Sequence, residues 1–356
     1  MSSAPLDPWN DAGPAPSRPR PGSGPAGDGS EALWSTRSDL RADVHRAQDD
    51  PSTGFESVAA RVQRDYARRP ALSLWSRGWR SLGGLWRHDR SADRLAASAK
   101  AVQSPVTTGR RIAVVSLRGG AGKTTVTALA AATFAALRPE PVAALDLDPA
   151  CGSLGLRLGN RAAPGADAFA AGLAALESTT FDAVSSQMAH GDNDLYYTGP
   201  RVTGQPLGGA AATTLLSGLS RYFPVTVIDC PTGPAHPDTT AVLTRAHAAV
   251  FVVPATAAGV DEASGYLRHW QSDPFLSAIP VVAAVVGIER DSVLDPLAQA
   301  AALTRLGVGA VALRHDRHIG SGVGITVPLI RPENRLAAAE LSAQALAAAN
   351  AAGGHR

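Results

Sequence analysis

The sequence predicts an α/β protein with a doubly wound, mostly parallel sheet of about seven strands and a Pro/Gly-rich N-terminal extension. Three observations carry this. Short apolar runs recur from residue 111 to residue 314, and they are continuous rather than alternating, as in strands buried on both faces. Ala- and Leu-rich helical segments such as TTVTALAAATFAALRP separate them, which is the pattern of right-handed βαβ crossovers. The first run leads through a glycine-rich turn directly into a helix.

Residues 1–33 are dominated by Pro, Gly, Ser and Ala. Such a segment buries too little apolar surface to offset its ordering entropy, so it reads as a disordered tail. The opening MSSAPLDPWNDAGPAP has no basic region followed by an apolar run, so a signal peptide is not expected. Residues 34–107 form a partly helical lead-in. It carries Trp34, Trp75, Trp79 and Trp86, and residues 53–110 hold eleven basic against four acidic residues. Within LSLWSRGWRSLGGLWR (72–87), Trp75 and Trp79 are one helical turn apart, with Arg77, Arg80 and Arg87 nearby. Gly78, Gly83 and Gly84 weaken a helix there. The segment suits a membrane, a partner or the protein's own following domain.

That domain spans 108–350, with 351–356 as a short tail. Its strands are expected at 111–117, 141–148, 194–199, 224–230, 249–255, 279–288 and 309–314. No stretch is long and apolar enough for a transmembrane helix. Two cysteines, Cys151 and Cys230, are too few for a disulfide framework, which fits a reducing cytoplasm. A net charge of +2 demands no nucleic-acid partner.

The turn is SLRGGAGKTT (116–125), between the strand RIAVVSL and the helix KTTVTALAAATFAAL. Glycines let successive backbone N–H groups converge on one cavity, and the helix N-terminus adds positive potential. That is a polyphosphate cradle built from Gly119, Gly120, Ala121, Gly122, Lys123, Thr124 and Thr125. Lys123 is one of only two lysines among 33 basic residues. Its narrow ammonium can enter the loop toward the β/γ-phosphates, where arginine's planar fork does not fit. The Thr124 hydroxyl would ligate Mg²⁺. The general pattern G-x-x-x-x-G-K-S/T places a glycine at position 117; this chain has Leu117, which points to a variant.

RGGAGKTT resembles that variant, the deviant Walker A motif K-G-G-x-G-K-T-T of the MinD/ParA family of P-loop ATPases. The resemblance covers roughly 108–350 and implies an ATP- and Mg²⁺-dependent ATPase that dimerises around its nucleotide. In that family the first lysine reaches the partner's nucleotide. Arg118 stands there in this chain, and an arginine binds phosphate bidentately.

The family's D-x-D-P matches LDLDPACG, so Asp148 would orient the attacking water and Asp146 would support the Mg²⁺ shell. Strand residues i and i+2 share a side, so both can face the C-terminal edge of the sheet. VTVIDCPTG (225–233) reads as a buried strand ending in Asp229, which can hold Mg²⁺ as a Walker B carboxylate does. Gly233 resembles the family glycine that presents its N–H to the γ-phosphate. Cys230 reads as a core residue. By the same resemblance, the loop carrying HDRHI borders the base, so Asp316 or its backbone would contact the adenine. The family's adenine-contacting Asn has no counterpart in VVGIERD. Neither lysine lies in a guanine-reading N/T-K-x-D context, so GTP is not expected.

Within the family, the Pro-rich extension, the Trp/Arg lead-in and the HDRHI stretch look most like the MinD-like ATPases of type VII secretion loci. The resemblance therefore implies an ATP-dependent homodimer serving a secretion or membrane-associated machine. Its partner would be a secretion component reached through the N-terminal extension, and membrane contact would be peripheral. The alternative is a ParA-like DNA-partition ATPase. Its non-specific DNA binding needs a basic patch, whereas 108–350 holds 17 basic and 19 acidic residues. An iron–sulfur reductase of the same superfamily is excluded, because Cys151 and Cys230 are in the wrong places.

Overall fold

The computed structural model describes residues 90–353, apart from 150–151, 161, 177–178, 202–204 and 291. The 1–33 tail, the lead-in up to residue 89 with its Trp/Arg segment 72–87, Cys151 and the last three residues lie outside the described residues.

In chain order the main elements are α1 (Arg90–Val102), β1 (Arg110–Val115), α2 (Lys123–Leu137), β2 (Val142–Asp146), α3 (Leu154–Arg157), α4 (Ala166–Ala175), α5 (Phe181–Ser185), β3 (Ala189–His190), β4 (Leu195–Tyr197) and α6 (Gly209–Leu219). Then follow β5 (Val225–Asp229), α7 (Pro237–Leu243), β6 (Ala248–Pro254), α8 (Ala257–Ser272), β7 (Val281–Val286), α9 (Pro296–Arg305), β8 (Gly309–Leu313), α10 (Arg317–Gly320) and α11 (Pro332–Gly353).

The strands form one sheet in the order β3-β4-β2-β5-β1-β6-β7-β8. Each of the seven apolar runs became a parallel strand, as the sequence predicted. The eighth strand is β3, two residues long and antiparallel to β4. It has no periodicity to read, so the expected count of about seven fell one short.

The sheet is packed on both faces, which is why its strands are mostly apolar. In β1, Ile112 and Val114 join one core with Phe134 of α2 and Leu341 and Leu346 of α11. Ala113 and Val115 face the opposite core with Leu215 of α6, Phe251 of β6 and Trp270 of α8. Burying side chains of this size contributes about 1.5–3 kcal/mol each. Arg138 caps the end of α1, its Nη1 donating to Val102 O at 2.6 Å and Ser104 O at 2.9 Å. Arg94 of α1 pairs with Glu340 of α11 at 2.8 Å.

This topology builds the site. β1 lies in the middle, with β5 beside it and β2 beyond. Register sets Asp229 opposite both Val114 of β1 and Asp146 of β2. The glycine-rich turn, Asp229 and Asp146 therefore meet at the C-terminal edge of three neighbouring strands.

Candidate functional site

The turn after β1 is exposed from Arg118 to Gly120. A Cβ added at Gly119 or Gly120 would meet nothing within 4 Å. Gly122 has φ 89° and opens α2 without a side-chain cap, an arrangement that suits the N–H groups of the first turn to an anion. A left-handed backbone at this point strains any residue with a Cβ. Ala121 and Thr125 are buried and brace the loop.

Lys123 and Thr124 converge on Asp229 from the start of α2. Lys123 Nζ is 2.8 Å from Asp229 Oδ1, and Thr124 Oγ1 donates to Asp229 Oδ2 at 2.6 Å. Asp148 Oδ2 lies 4.0 Å from the same Nζ. Asp229 is fully buried and Lys123 nearly so. Burial alone would lower the Lys123 ammonium, but the Asp229 carboxylate outweighs it and raises it. Burial also raises the Asp229 carboxyl, against the pull of Lys123. Thr127 was missed by the sequence reading. Its hydroxyl reaches Lys123 O at 3.0 Å and Asp229 Oδ1 at 3.3 Å. The available signal was a polar residue four positions after the lysine in an Ala-rich helix.

Asp146 turns inward, where a place in an open Mg²⁺ shell was expected. Its Oδ1 accepts Asp148 N–H and its Oδ2 accepts Leu154 N–H, both at 3.1 Å. Burial first, and the neighbouring Asp229 charge second, push its carboxyl well above the usual carboxylate range. Asp148 is partly exposed and faces Lys123.

Three further residues depart from expectation. Gly233, at φ 89°, donates its N–H to Ser116 O at 3.0 Å instead of leaving it free for a phosphate. The Asp316 carboxylate caps α10, accepting His318 N–H at 2.8 Å, Ile319 N–H at 3.3 Å and Arg331 N–H at 2.8 Å. At 3% exposure it is spent on backbone donors and does not face a base. Arg118 reaches outward to Glu262 of α8, Nε to Oε2 at 2.5 Å, with Nη2 on Oε1. Cys230 is a core residue, its thiol pushed up by burial.

The donor set fits a magnesium–nucleotide complex. Two hard oxygens, Thr124 Oγ1 and Asp229 Oδ2, stand together beside a cation and an uncapped glycine loop.

No family model matches the chain. A 241-residue stretch is 27% identical to the ESX-1 secretion-associated protein EspI of Mycobacterium tuberculosis, covering 65% of this chain and 36% of that protein. The chain thus spans about a third of the length of the curated relative it matches. Among solved structures it resembles the Pyrococcus furiosus cell division ATPase MinD, with 19% identity, TM-score 0.52 and coverage of 67% of this chain and 99% of that one. The Cyanothece McdA–ATP complex gives 16%, 0.50, 67% and 96%. A ParA family ATPase from Chlorobium tepidum gives 17%, 0.51, 64% and 96%. The fold is that of the MinD/ParA P-loop ATPases, as the glycine loop implied. Among the described residues no helix is long and apolar enough to cross a membrane.

Proposed function

We propose that this chain, with its MinD/ParA fold, is a Mg²⁺-dependent ATPase that switches between monomer and ATP-bound dimer. The observation that carries the reading is the meeting of Lys123, Thr124 and Asp229, with Asp148 4.0 Å from the lysine ammonium.

The residues divide the work. The backbone N–H groups of Gly119 to Thr125 bind phosphate oxygens. Lys123 exchanges its carboxylate partners for phosphate. Thr124 and Asp229 hold the metal, directly or through water, and Mg²⁺ when bound supplies charge neutralisation of the phosphate oxygens. Asp148, the more exposed carboxylate, orients the attacking water and accepts its proton. Gly233 releases Ser116 O to offer its N–H. Arg118 leaves Glu262 and serves the partner's nucleotide. Two nucleotides at one interface concentrate negative charge, and a cation from each side lets the subunits close.

The similarity to EspI supports placing this switch beside a type VII secretion machine, with the N-terminal extension as the partner-facing segment.

Mixing complementary variants tests the reading. Arg118→Ala and Asp148→Ala are each expected to bind ATP and to hydrolyse it slowly. In a mixed dimer the Asp148→Ala subunit lends its Arg118 to a site whose Asp148 is intact, so ATPase activity partly returns. Absence of ATP binding in the wild-type chain overturns the nucleotide reading. Absence of rescue on mixing overturns the trans role of Arg118.

A further inference from the structure

We propose that Asp146 is a positioning residue that sets the place of Asp148, and that Gly152 is the second half of the same device. The proposal rests on reading Asp148 as the water-orienting carboxylate. It goes beyond that reading by removing Asp146 from the metal shell.

The Asp146 side chain is fully buried at the end of β2. Its own N–H donates to Thr198 Oγ1 at 2.9 Å, which ties the strand end to the residue that follows β4. Its two oxygens divide between two backbone donors six residues apart, Asp148 N–H and Leu154 N–H. The second of these opens α3, where a free N–H needs a cap. Ser153 occupies the N-cap position and makes no side-chain cap, so Asp146 supplies it from eight residues upstream. One carboxyl group therefore fastens both Asp148 and the first residue of α3.

Gly152 makes room for this. A Cβ there would stand 2.1 Å from Asp146 Oδ2 and 2.2 Å from Oδ1, closer than real atoms approach. The chain can pass over the buried carboxyl only where the side chain is absent. With the segment fastened from inside, the Asp148 carboxylate is left on the open side, 4.0 Å from Lys123 Nζ. A metal-ligating Asp146 would instead direct an oxygen toward Thr124 and Asp229.

Gly152→Ala separates the two roles, because it keeps every carboxylate and pushes only on the fastening. Two readouts are taken: amide hydrogen exchange at Asp148 and Leu154 without nucleotide, and kcat against the half-saturating Mg²⁺ concentration. Gly152→Ala is expected to speed exchange at both amides and to lower kcat about tenfold or more, as when a buried hydrogen bond is lost. ATP affinity and Mg²⁺ half-saturation stay within about twofold of wild type, a difference well under 1 kcal/mol. Asp146→Asn, which keeps one acceptor oxygen, falls between wild type and Asp146→Ala in exchange rate. If Asp146→Ala does not fold, the other two variants carry the test. A rise in Mg²⁺ half-saturation in Asp146→Asn, with Gly152→Ala like wild type, makes Asp146 a metal ligand and overturns the proposal. Unchanged exchange in Gly152→Ala overturns it as well. Failure of the wild-type chain to hydrolyse ATP would sink the ATPase reading alone, since the exchange readout needs no nucleotide.

Discussion

Lys123 Nζ and Asp229 Oδ1, contributed by segments more than one hundred residues apart, lie 2.8 Å from each other at the C-terminal edge of the sheet. The loop's cation is thus held by the very carboxylate that shares the site's hard oxygens with Thr124. A buried pair of this kind adds little net stability, but removing one partner strands the other.

Lys123→Ala is expected to weaken ATP binding at least about 100-fold, since the phosphates lose a point charge inside a low-dielectric loop. It also leaves Asp229 buried without its cation, at a cost of about 3–5 kcal/mol, reduced to the extent that Asp229 takes up a proton. Adding Asp229→Asn should recover part of the stability and none of the binding. Calorimetric titration with ATP and urea unfolding read the two effects separately, and near-normal ATP affinity in Lys123→Ala would refute the site.

Arg118 and Glu262 hold each other within one chain, both more than a third exposed. If Arg118 serves the partner subunit, that pair must open when the dimer forms. Glu262→Gln should therefore favour ATP-dependent dimerisation by roughly two- to fivefold in concentration, the scale of an exposed ion pair. Arg118→Ala should abolish dimerisation and Arg118→Lys restore much of it. Light scattering across a dilution series with ATP measures this; dimerisation unchanged in Arg118→Ala would remove the arginine from the interface.

Arg201 and Asp238 form a second buried pair, Nη1 to Oδ2 at 2.9 Å. Asp238 also accepts Leu207 N–H at 2.9 Å and Gly208 N–H at 3.2 Å, pinning the segment before α6 to the start of α7. Arg201→Leu should cost about 3–5 kcal/mol, and Asp238→Asn on that background should return part of it. An unchanged urea midpoint in Arg201→Leu would show the pair to be dispensable.

His318 is expected to give the fold a pH dependence. Its Nε2 accepts Thr326 N–H at 2.9 Å, so the fold uses the neutral ring. Burial lowers its pKa below the ordinary 6.5, with Asp316 opposing and Arg157 assisting. A depressed folded value means stability that is present above the unfolded pKa and lost as pH falls through the folded one. Lowering the pH from about 7.5 to about 5.5 should reduce the wild-type urea midpoint, and His318→Gln should flatten that change. Equal pH dependence in the two proteins would exclude His318 as the source.

What could be read in advance follows from how local each signal is. A strand buried on both faces is apolar along most of its length, so seven strands were legible one run at a time. The turn from Gly119 to Thr125 keeps its glycines, lysine and threonines within a few residues, so it was legible as a strand-to-helix turn too. Asp146 and Asp229 were recognisable as strand-end carboxylates for the same reason, although β2 ends at Asp146 and leaves Asp148 two residues past it. Their neighbours were not, because a carboxylate looks the same whether it meets a lysine, a metal or a backbone N–H. Register across β2 and β5 puts Asp146 opposite Asp229. The close pass at Gly152 turns Asp146 toward Leu154, and the fold around α10 spends Asp316 on Arg331. Likewise the N–H of Gly233 finds Ser116 O, and Arg118 finds Glu262, only once β5 and α8 are packed against β1 and its turn. The sequence by itself determined which groups reach the edge of the sheet, since that depends on short-range periodicity. Which partner each group takes was decided by the tertiary structure, because a hydrogen bond is set by fractions of an ångström between segments that the chain keeps far apart.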